Sequence, residues 1–227
     1  HHGEGKVLKN QYKEWKYVPN DVVAELINNN MVTSFVDRGV PSKFNNLLND
    51  ANDPMGVVPD SIERVMFANN GVVFITKKVY PPTSFVSVLY PAIVNESLRI
   101  MKWAVEENQY KVYLNSLNVP EGYSFFIPTN DAFLKYIDPV SYAMSQDKTK
   151  AVMYKFHYDA KLSNPVWASR FHYNMETGEV GASIDEIRDN DYVMQRKLKE
   201  VLDNHIVIGN VEDGNTYYRT KGGQEIM

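Results

Sequence analysis

A chain of 227 residues with 44% apolar content is long enough to bury a core, and its net charge of −4 excludes a nucleic-acid binder that works mainly through phosphate contacts. It contains no cysteine, which excludes disulfides, thiolate catalysis and Cys-based zinc sites. No stretch reaches the roughly 18 apolar residues of a membrane span, and none reads as a signal peptide. Residues 1–90 balance nine acidic against nine basic side chains, whereas residues 91–227 carry 19 against 15, so the acidic excess lies wholly in the second part.

Residues 1–18 are polar, with Trp15 and Tyr17 as isolated aromatics, and read as a short helix or arm. Pro19-Asn20-Asp21 opens a helix with Val22, Val23, Leu26 and Ile27 on one side, and Asn28-Asn29-Asn30 ends it. Ser42 caps a second helix, in which Phe44, Leu47, Leu48 and Ala51 recur at helical spacing. Pro59-Asp60-Ser61 predicts a short third helix carrying Ile62, Val65 and Met66. After the turn Asn69-Asn70-Gly71, residues 72–80 read as a strand that Pro81-Pro82 terminates. Residues 84–94 read as a linker and an entry strand. A helix from Asn95 has Leu98, Met101 and Val105 as core positions, with Trp103 nearby, and a shorter one carries Tyr110, Tyr113, Leu114 and Leu117.

Pro120-Glu121-Gly122 turns the chain into Tyr123–Phe133. Phe125, Phe126 and Ile127 read as a buried strand closed by Pro128. Asn130 stands where a helix N-cap belongs, and Asp131 follows in the first turn, near the positive end of the dipole. Ala132, Phe133, Tyr136 and Ile137 then share a helical face. Residues 139–195 are rich in rings: Tyr142, Tyr154, Phe156, His157, Tyr158, Trp167, Phe171, His172 and Tyr173. These rings suit either the margins of a β-rich core or platforms for a glycan or protein. Thr177-Gly178 is a turn, and Ser183 caps a helix from Ile184 whose later face holds Met194, Leu198, Val201 and Leu202. Turns at Asp213-Gly214 and Lys221-Gly222-Gly223 flank a last strand near Tyr217-Tyr218-Arg219.

Residue patterns that carry chemistry are sparse. His157 and His172 lack metal-ligand spacing to each other or to carboxylates, so no metal and no cofactor is expected. Asp185, Glu186, Asp189 and Asp191 lack the glycine and closing glutamate of a calcium loop and read as a solvated helix face. Ser124, Ser141 and Ser163 have no nucleophile-elbow surroundings, and there is no glycine-rich phosphate loop. Lys77-Lys78 and Lys221 read as protection of strand edges. His205, between apolar neighbours, reads as a buried structural histidine.

Three stretches resemble the fasciclin domain family. Tyr123–Phe133, with its Pro128-Thr129-Asn130-Asp131 and Phe133, is similar to the family's first signature box. Asp203–Gly209, with His205 and Gly209, is similar to the second, although Asn204 stands where the family often has Tyr. Asn70-Gly71 with the following strand and Pro81 resembles the family's closing strand. The resemblance implies an α+β fold, a wedge of two small β-sheets with packed α-helices. It makes residues 1–90 the C-terminal part of a first fasciclin-like domain. Residues 91–227 become a second, with an insertion at about 139–195 and its last strands missing. The function it implies is a non-catalytic adhesion or interaction module, extracellular or at the cell surface and anchored to a bacterial outer membrane. Its partner would be a protein or a glycan; the alternative is a glycan-binding accessory protein that uses the aromatic residues of the insertion.

Overall fold

The computed structural model describes residues 18, 20–31, 55–115, 120–145, 147–188, 191–212 and 217–227. The arm expected before residue 18, the helix expected after Ser42, Leu117, Asp189 and the turn at Asp213-Gly214 lie outside these residues. The fold is α+β, with helices and antiparallel sheets, two of them four-stranded. Two compact units are present, His1–Tyr90 with Leu114–Ser116, and Pro91–Tyr113 with Leu117–Met227.

In the first unit, helix α1 (Asn20–Asn29) buries Val22 and leaves Ile27 exposed. Side-chain amides finish it. Asn30 Nδ2 donates to the Leu26 carbonyl at 2.9 Å and to the Tyr80 carbonyl at 3.0 Å, and Asn29 Nδ2 reaches the latter at 3.3 Å, which occupies a carbonyl that the helix end would otherwise orphan. The helix expected from Pro59 is corrected. Only Pro59–Ser61 makes a 3-10 turn, and Ile62–Ala68 is strand β1, antiparallel to β2 (Gly71–Thr76). Ile62, Val65 and Met66 have helical spacing, but over so short a run that spacing fits a strand equally well. The two-residue connection Asn69-Asn70, with Ala68 opposite Gly71, makes the run a hairpin.

The strand expected to reach Tyr80 ends at Thr76. Beyond it Thr76 Oγ1 donates to the Lys78 carbonyl at 2.8 Å, and Tyr80 turns in against Val57, with Met55, Ile62 and Phe74 around them. The Tyr80 hydroxyl meets Ser61 Oγ at 2.7 Å. Lys77 and Lys78 therefore lie past the strand rather than guarding its edge: Lys77 Nζ donates to the Asp60 carbonyl at 3.4 Å, and the Lys78 ammonium sits 5.4 Å from the centre of the Tyr80 ring. The entry strand expected within residues 84–94 is also corrected, to a 3-10 turn (Thr83–Phe85) and helix α2 (Tyr90–Val94). Pro91 lies in the first turn of α2, where its missing N–H is no loss.

The second unit continues with α3 (Arg99–Glu107), all but the last two residues of α4 (Tyr110–Asn115), β3 (Tyr123–Phe125), a 3-10 segment (Asn130–Lys135), β4 (Tyr136–Ile137) and α5 (Pro139–Ser145). Then come β5 (Ala151–Tyr158), β6 (Val166–Tyr173), β7 (Val180–Ile187), α6 (Asp191–His205), β8 (Ile206–Ile208), β9 (Tyr218–Thr220) and β10 (Glu225–Ile226). One sheet has the order β10-β9-β8-β3 and the other β4-β5-β6-β7, antiparallel throughout. The helix expected from Ser183 is strand β7, because the turn after Tyr173 returns the chain along β6; the helix begins at Asp191. Asp185 and Glu186 consequently sit on a strand, where Arg170 Nε donates to Asp185 at 2.6 Å and Arg188 Nε to Glu186 at 2.7 Å.

Two helices and one face of the long sheet supply the core. Ile100, Met101, Ala104 and Val105 of α3 and Met194, Leu198, Val201 and Leu202 of α6 are buried, and so are Tyr154, Phe156, Val166 and Ala168 of the sheet. Phe156 is its aromatic centre, with Phe133, Tyr136 and Tyr154 at ring distances of 5.7, 5.7 and 5.8 Å. Near the start of β5 the opposite face is covered too, where Ala151, Met153 and Tyr173 pack with Ile137, Tyr142 and Phe171. The expected buried run Phe125-Phe126-Ile127 is corrected: β3 is half-buried and ends at Phe125, and Phe126 is 49% exposed. β3 is an edge strand of its sheet, so it has a neighbour on one side only.

Replacing Phe156 with Ala should cost about 3–5 kcal/mol through the cavity it leaves, whereas Phe126→Ala should cost about 1 kcal/mol or less. Denaturant midpoints of the two variants check this ordering; similar losses would contradict it.

Candidate functional site

The residues of the two signature-like boxes meet in space. Tyr123, Ser124 and Phe125 stand opposite Ile208, Val207 and Ile206, and the Phe126 N–H extends the ladder to the His205 carbonyl at 2.9 Å. Ser124 Oγ donates to the Gly209 carbonyl and accepts from the Val211 N–H, both at 2.8 Å. Gly209 has φ +108°, a conformation that favours glycine, and its N–H reaches the Gly122 carbonyl at 3.0 Å. Each box thus closes the other.

Several side chains do a different job from the one expected of them. The N-cap is Thr129, whose hydroxyl accepts from the Ala132 N–H at 3.4 Å, and the segment it caps is 3-10 rather than α-helical. Asn130 instead reaches back to the start of α3. Its Oδ1 accepts from the Ile100 N–H at 3.1 Å and its Nδ2 donates to the Glu96 carbonyl at 3.0 Å. Pro128 is half-buried and Asp131 exposed, while Phe133 points into the core; Ala132 is exposed and Tyr136 and Ile137 belong to β4, so the shared helical face does not form. His205 is half-buried rather than fully buried, and its Nδ1–H donates to the Val201 carbonyl at 2.8 Å near the end of α6.

Beside this strand pair lies a cluster that sequence reasoning missed. The Tyr110 hydroxyl hydrogen-bonds to Asp203 Oδ1, Lys221 Nζ reaches the same hydroxyl at 3.1 Å and Asp203 Oδ1 at 3.3 Å, and Lys199 Nζ meets Asp203 Oδ2 at 2.7 Å. The Lys221 ammonium also lies 4.4 Å from the centre of the Tyr110 ring and 5.4 Å from that of Tyr113. Tyr113 in turn packs on Tyr123 of the first box, with ring centres 4.7 Å apart. Burial, with the hydrogen bond to Tyr123, pushes the Tyr113 hydroxyl well above the usual phenol range. For Asp203 burial pushes the pKa upward, but hydrogen bonds from Lys199 and Tyr110 and the charge of Lys221 outweigh it and hold the carboxyl below the usual range. The one local signal of this cluster is the spacing of Lys199 and Asp203, four apart on one helix. Lys221 is therefore a member of this cluster and not the edge guard expected of it.

A second, more buried pair joins Lys197 of α6 to Asp138 at 2.9 Å, and the Val140 N–H donates to the same carboxylate oxygen at 3.1 Å. Burial, together with the charges of Glu200 and Asp138, pushes the pKa of the neighbouring Tyr136 hydroxyl well above the usual phenol range. His157 and His172 do not converge. His157 stacks on Trp167 and His172 is exposed on the other face of the sheet. Among the described residues no three His, Cys, Asp or Glu side chains come together as metal ligands would. What these arrangements do chemically is hold elements together: each carboxylate in them already faces an ammonium.

Asn130→Ala should cost about 1–3 kcal/mol by removing two hydrogen bonds, one to Ile100 of α3 and one to Glu96 just before it, and more than Thr129→Ala; equal denaturant midpoints for the two variants would sink this assignment. Asp203→Asn should cost about 1–3 kcal/mol at pH 7. Because the folded state holds this carboxyl below its unfolded value of about 3.9, its contribution is complete above that pH and disappears as the pH falls through the lower folded value. Urea melts of both proteins from pH 7 to pH 2 should therefore converge at the acid end.

No protein-family model matches the chain, no curated protein matches it, and no solved structure matches its fold.

Proposed function

We propose that this chain is a non-catalytic interaction module of the fasciclin type, working outside the cell or at its surface, in a bacterial protein anchored to the outer membrane. The observation that carries this reading is the pairing of Tyr123–Phe125 with Ile206–Ile208. The two stretches that resemble the family's signature boxes, some 70 residues apart in sequence, are neighbouring strands. Their characteristic side chains, Thr129, Asn130, His205 and Ser124 among them, are engaged in bonds to backbone. Such a site is built for shape rather than for turnover, which favours binding as the role.

A protein partner is favoured over a glycan. Sugar stacking needs aromatic faces open to solvent, and in the long sheet Tyr154, Phe156 and Tyr173 are buried. Trp167 is flanked by His157 at 4.1 Å and by the Arg188 guanidinium at 3.7 Å from the ring centre. Of the insertion's tyrosines and phenylalanines named above, Tyr158 is the most exposed, at 36%.

The test is binding of the purified chain, immobilised on beads, to intact bacterial cells and to purified extracellular-matrix proteins. Saturable binding that protease treatment of the target abolishes and periodate treatment leaves intact is expected. Loss on periodate would transfer the function to glycan binding, and the lack of saturable binding to any target would overturn the reading.

A further inference from the structure

On the face of the long sheet away from α3 and α6, Tyr142 of α5 packs with Met153 and Phe171, and a row of side chains continues beyond them. Register places Lys155 and His157 of β5, Trp167, Ser169 and Phe171 of β6, and Glu186 of β7 on this side, with Arg188 immediately after β7 opposite Trp167. These residues form a stack rather than a scatter of surface groups. The His157 ring lies on the indole of Trp167 at 4.1 Å and 24°, and its Nε2 meets Ser169 Oγ at 3.0 Å. From the other side the Arg188 guanidinium lies 3.7 Å from the centre of the same indole, with Glu186 at 2.7 Å from its Nε. Lys155 completes the row with its ammonium 4.8 Å from the centre of the Phe171 ring.

We propose that His157 is an acid-sensitive latch that decides whether Arg188 is docked on Trp167 or released to solvent. One indole is shared by a permanent cation and by a ring that becomes a cation on protonation. The negative face of a single indole favours each cation, but two on its opposite flanks repel one another across it. Among the described residues the charged groups that act on His157 are Lys155 on its own strand and Arg188, which oppose its protonation, and Glu186, which favours it. Glu186 is the only carboxylate among them, and it is already engaged with Arg188. A protonated His157 therefore competes with Arg188 for both the indole and the carboxylate. Arg188 is the partner able to leave, because its side chain is 47% exposed and stands at the end of the sheet, whereas His157 is held within β5 by pairing on both sides of its position. Release adds an accessible cation to a sheet face that already carries Lys155.

The direction of the response follows from the same geometry. Burial first, then the nearby Arg188, keeps the imidazole below its ordinary value near 6.5. Because the folded state resists protonation, the stability that the stack contributes is complete above about pH 6.5 and falls as the pH drops below it toward the lower folded midpoint.

The experiment uses the whole chain and follows three signals through a titration from pH 8 to pH 4. His157 should titrate with a midpoint below about 6.5, seen in its ring carbon-bound proton resonances. Side-chain protons of Arg188, moved upfield by the indole at pH 8, should shift to ordinary positions with the same midpoint. The part of the tryptophan emission that disappears in Trp167→Phe should change with that midpoint, since a protonated imidazole quenches an adjacent indole. In Arg188→Ala the His157 midpoint should rise toward the ordinary value, and His157→Lys, a permanent cation, should place Arg188 in its released state already at pH 8. The proposal is overturned if His157 titrates at or above about 6.5 in the parent protein, if its midpoint is the same in Arg188→Ala, or if the Arg188 protons keep their upfield positions while His157 titrates.

Discussion

Three residues of β3 pair with three residues of β8, and this short ladder ties together the strands that lead out of α6 and into the 3-10 segment. On the β8 side the chain has just left α6, whose buried Met194, Leu198, Val201 and Leu202 form half of the helical core. On the β3 side it runs through Pro128 and Thr129 into the 3-10 segment, which carries Phe133 to Phe156 and, through Asn130, clasps the start of α3. A three-residue edge pairing is weak by itself. It holds because both flanks are fastened: Ser124 bridges Gly209 and Val211, and the Phe126 N–H adds one more rung at His205.

The polar residues of this unit serve as fasteners between elements distant in sequence. Asp203 draws together Tyr110 of α4, Lys199 of its own helix and Lys221 from the turn after β9. Gly222 is part of that turn: its N–H donates to the Asp203 carbonyl at 2.7 Å, and a Cβ there would come within 3.2 Å of the same oxygen. Asp138 and Lys197 make a comparable link between the β4–α5 junction and α6, with both side chains largely out of water. Such pairs return little net energy because desolvation opposes them, but they penalise any arrangement that separates the partners.

The long sheet manages its outer strand in a recognisable way. β7 is exposed along almost its whole length and pairs on one side only, a position open to edge-to-edge association. Its register against β6 shifts around Phe171, and Asp185, Glu186 and Arg188 supply charge. Irregular pairing and charge both discourage a further strand from adding.

Much of the local structure was legible in the sequence. The core faces of α3 and α6 follow from apolar spacing, because a helix that packs on one side must repeat its buried residues every three or four positions. The turns at Asn69-Asn70 and Pro120-Glu121 are equally local. What misled local reading were segments whose spacing suits either state. Ile62, Val65 and Met66, and likewise the stretch after Ser183, fit a helical pattern over a few residues, and only cross-strand hydrogen bonding to β2 and β6 made them strands. Asn130 was placed at a helix start by its neighbours in sequence, yet its bonds go to Glu96 and Ile100, thirty or more residues away. Tyr110, Asp203 and Lys221 carry no common pattern in the chain, because a hydrogen-bonded cluster assembled from α4, α6 and a turn is defined by distance alone. The sequence by itself determined which residues are apolar and where turns fall, and it set apart two boxes, Tyr123–Phe133 and Asp203–Gly209. Only the tertiary structure decided that those boxes are adjacent strands, since strand pairing depends on partners that local propensity does not encode.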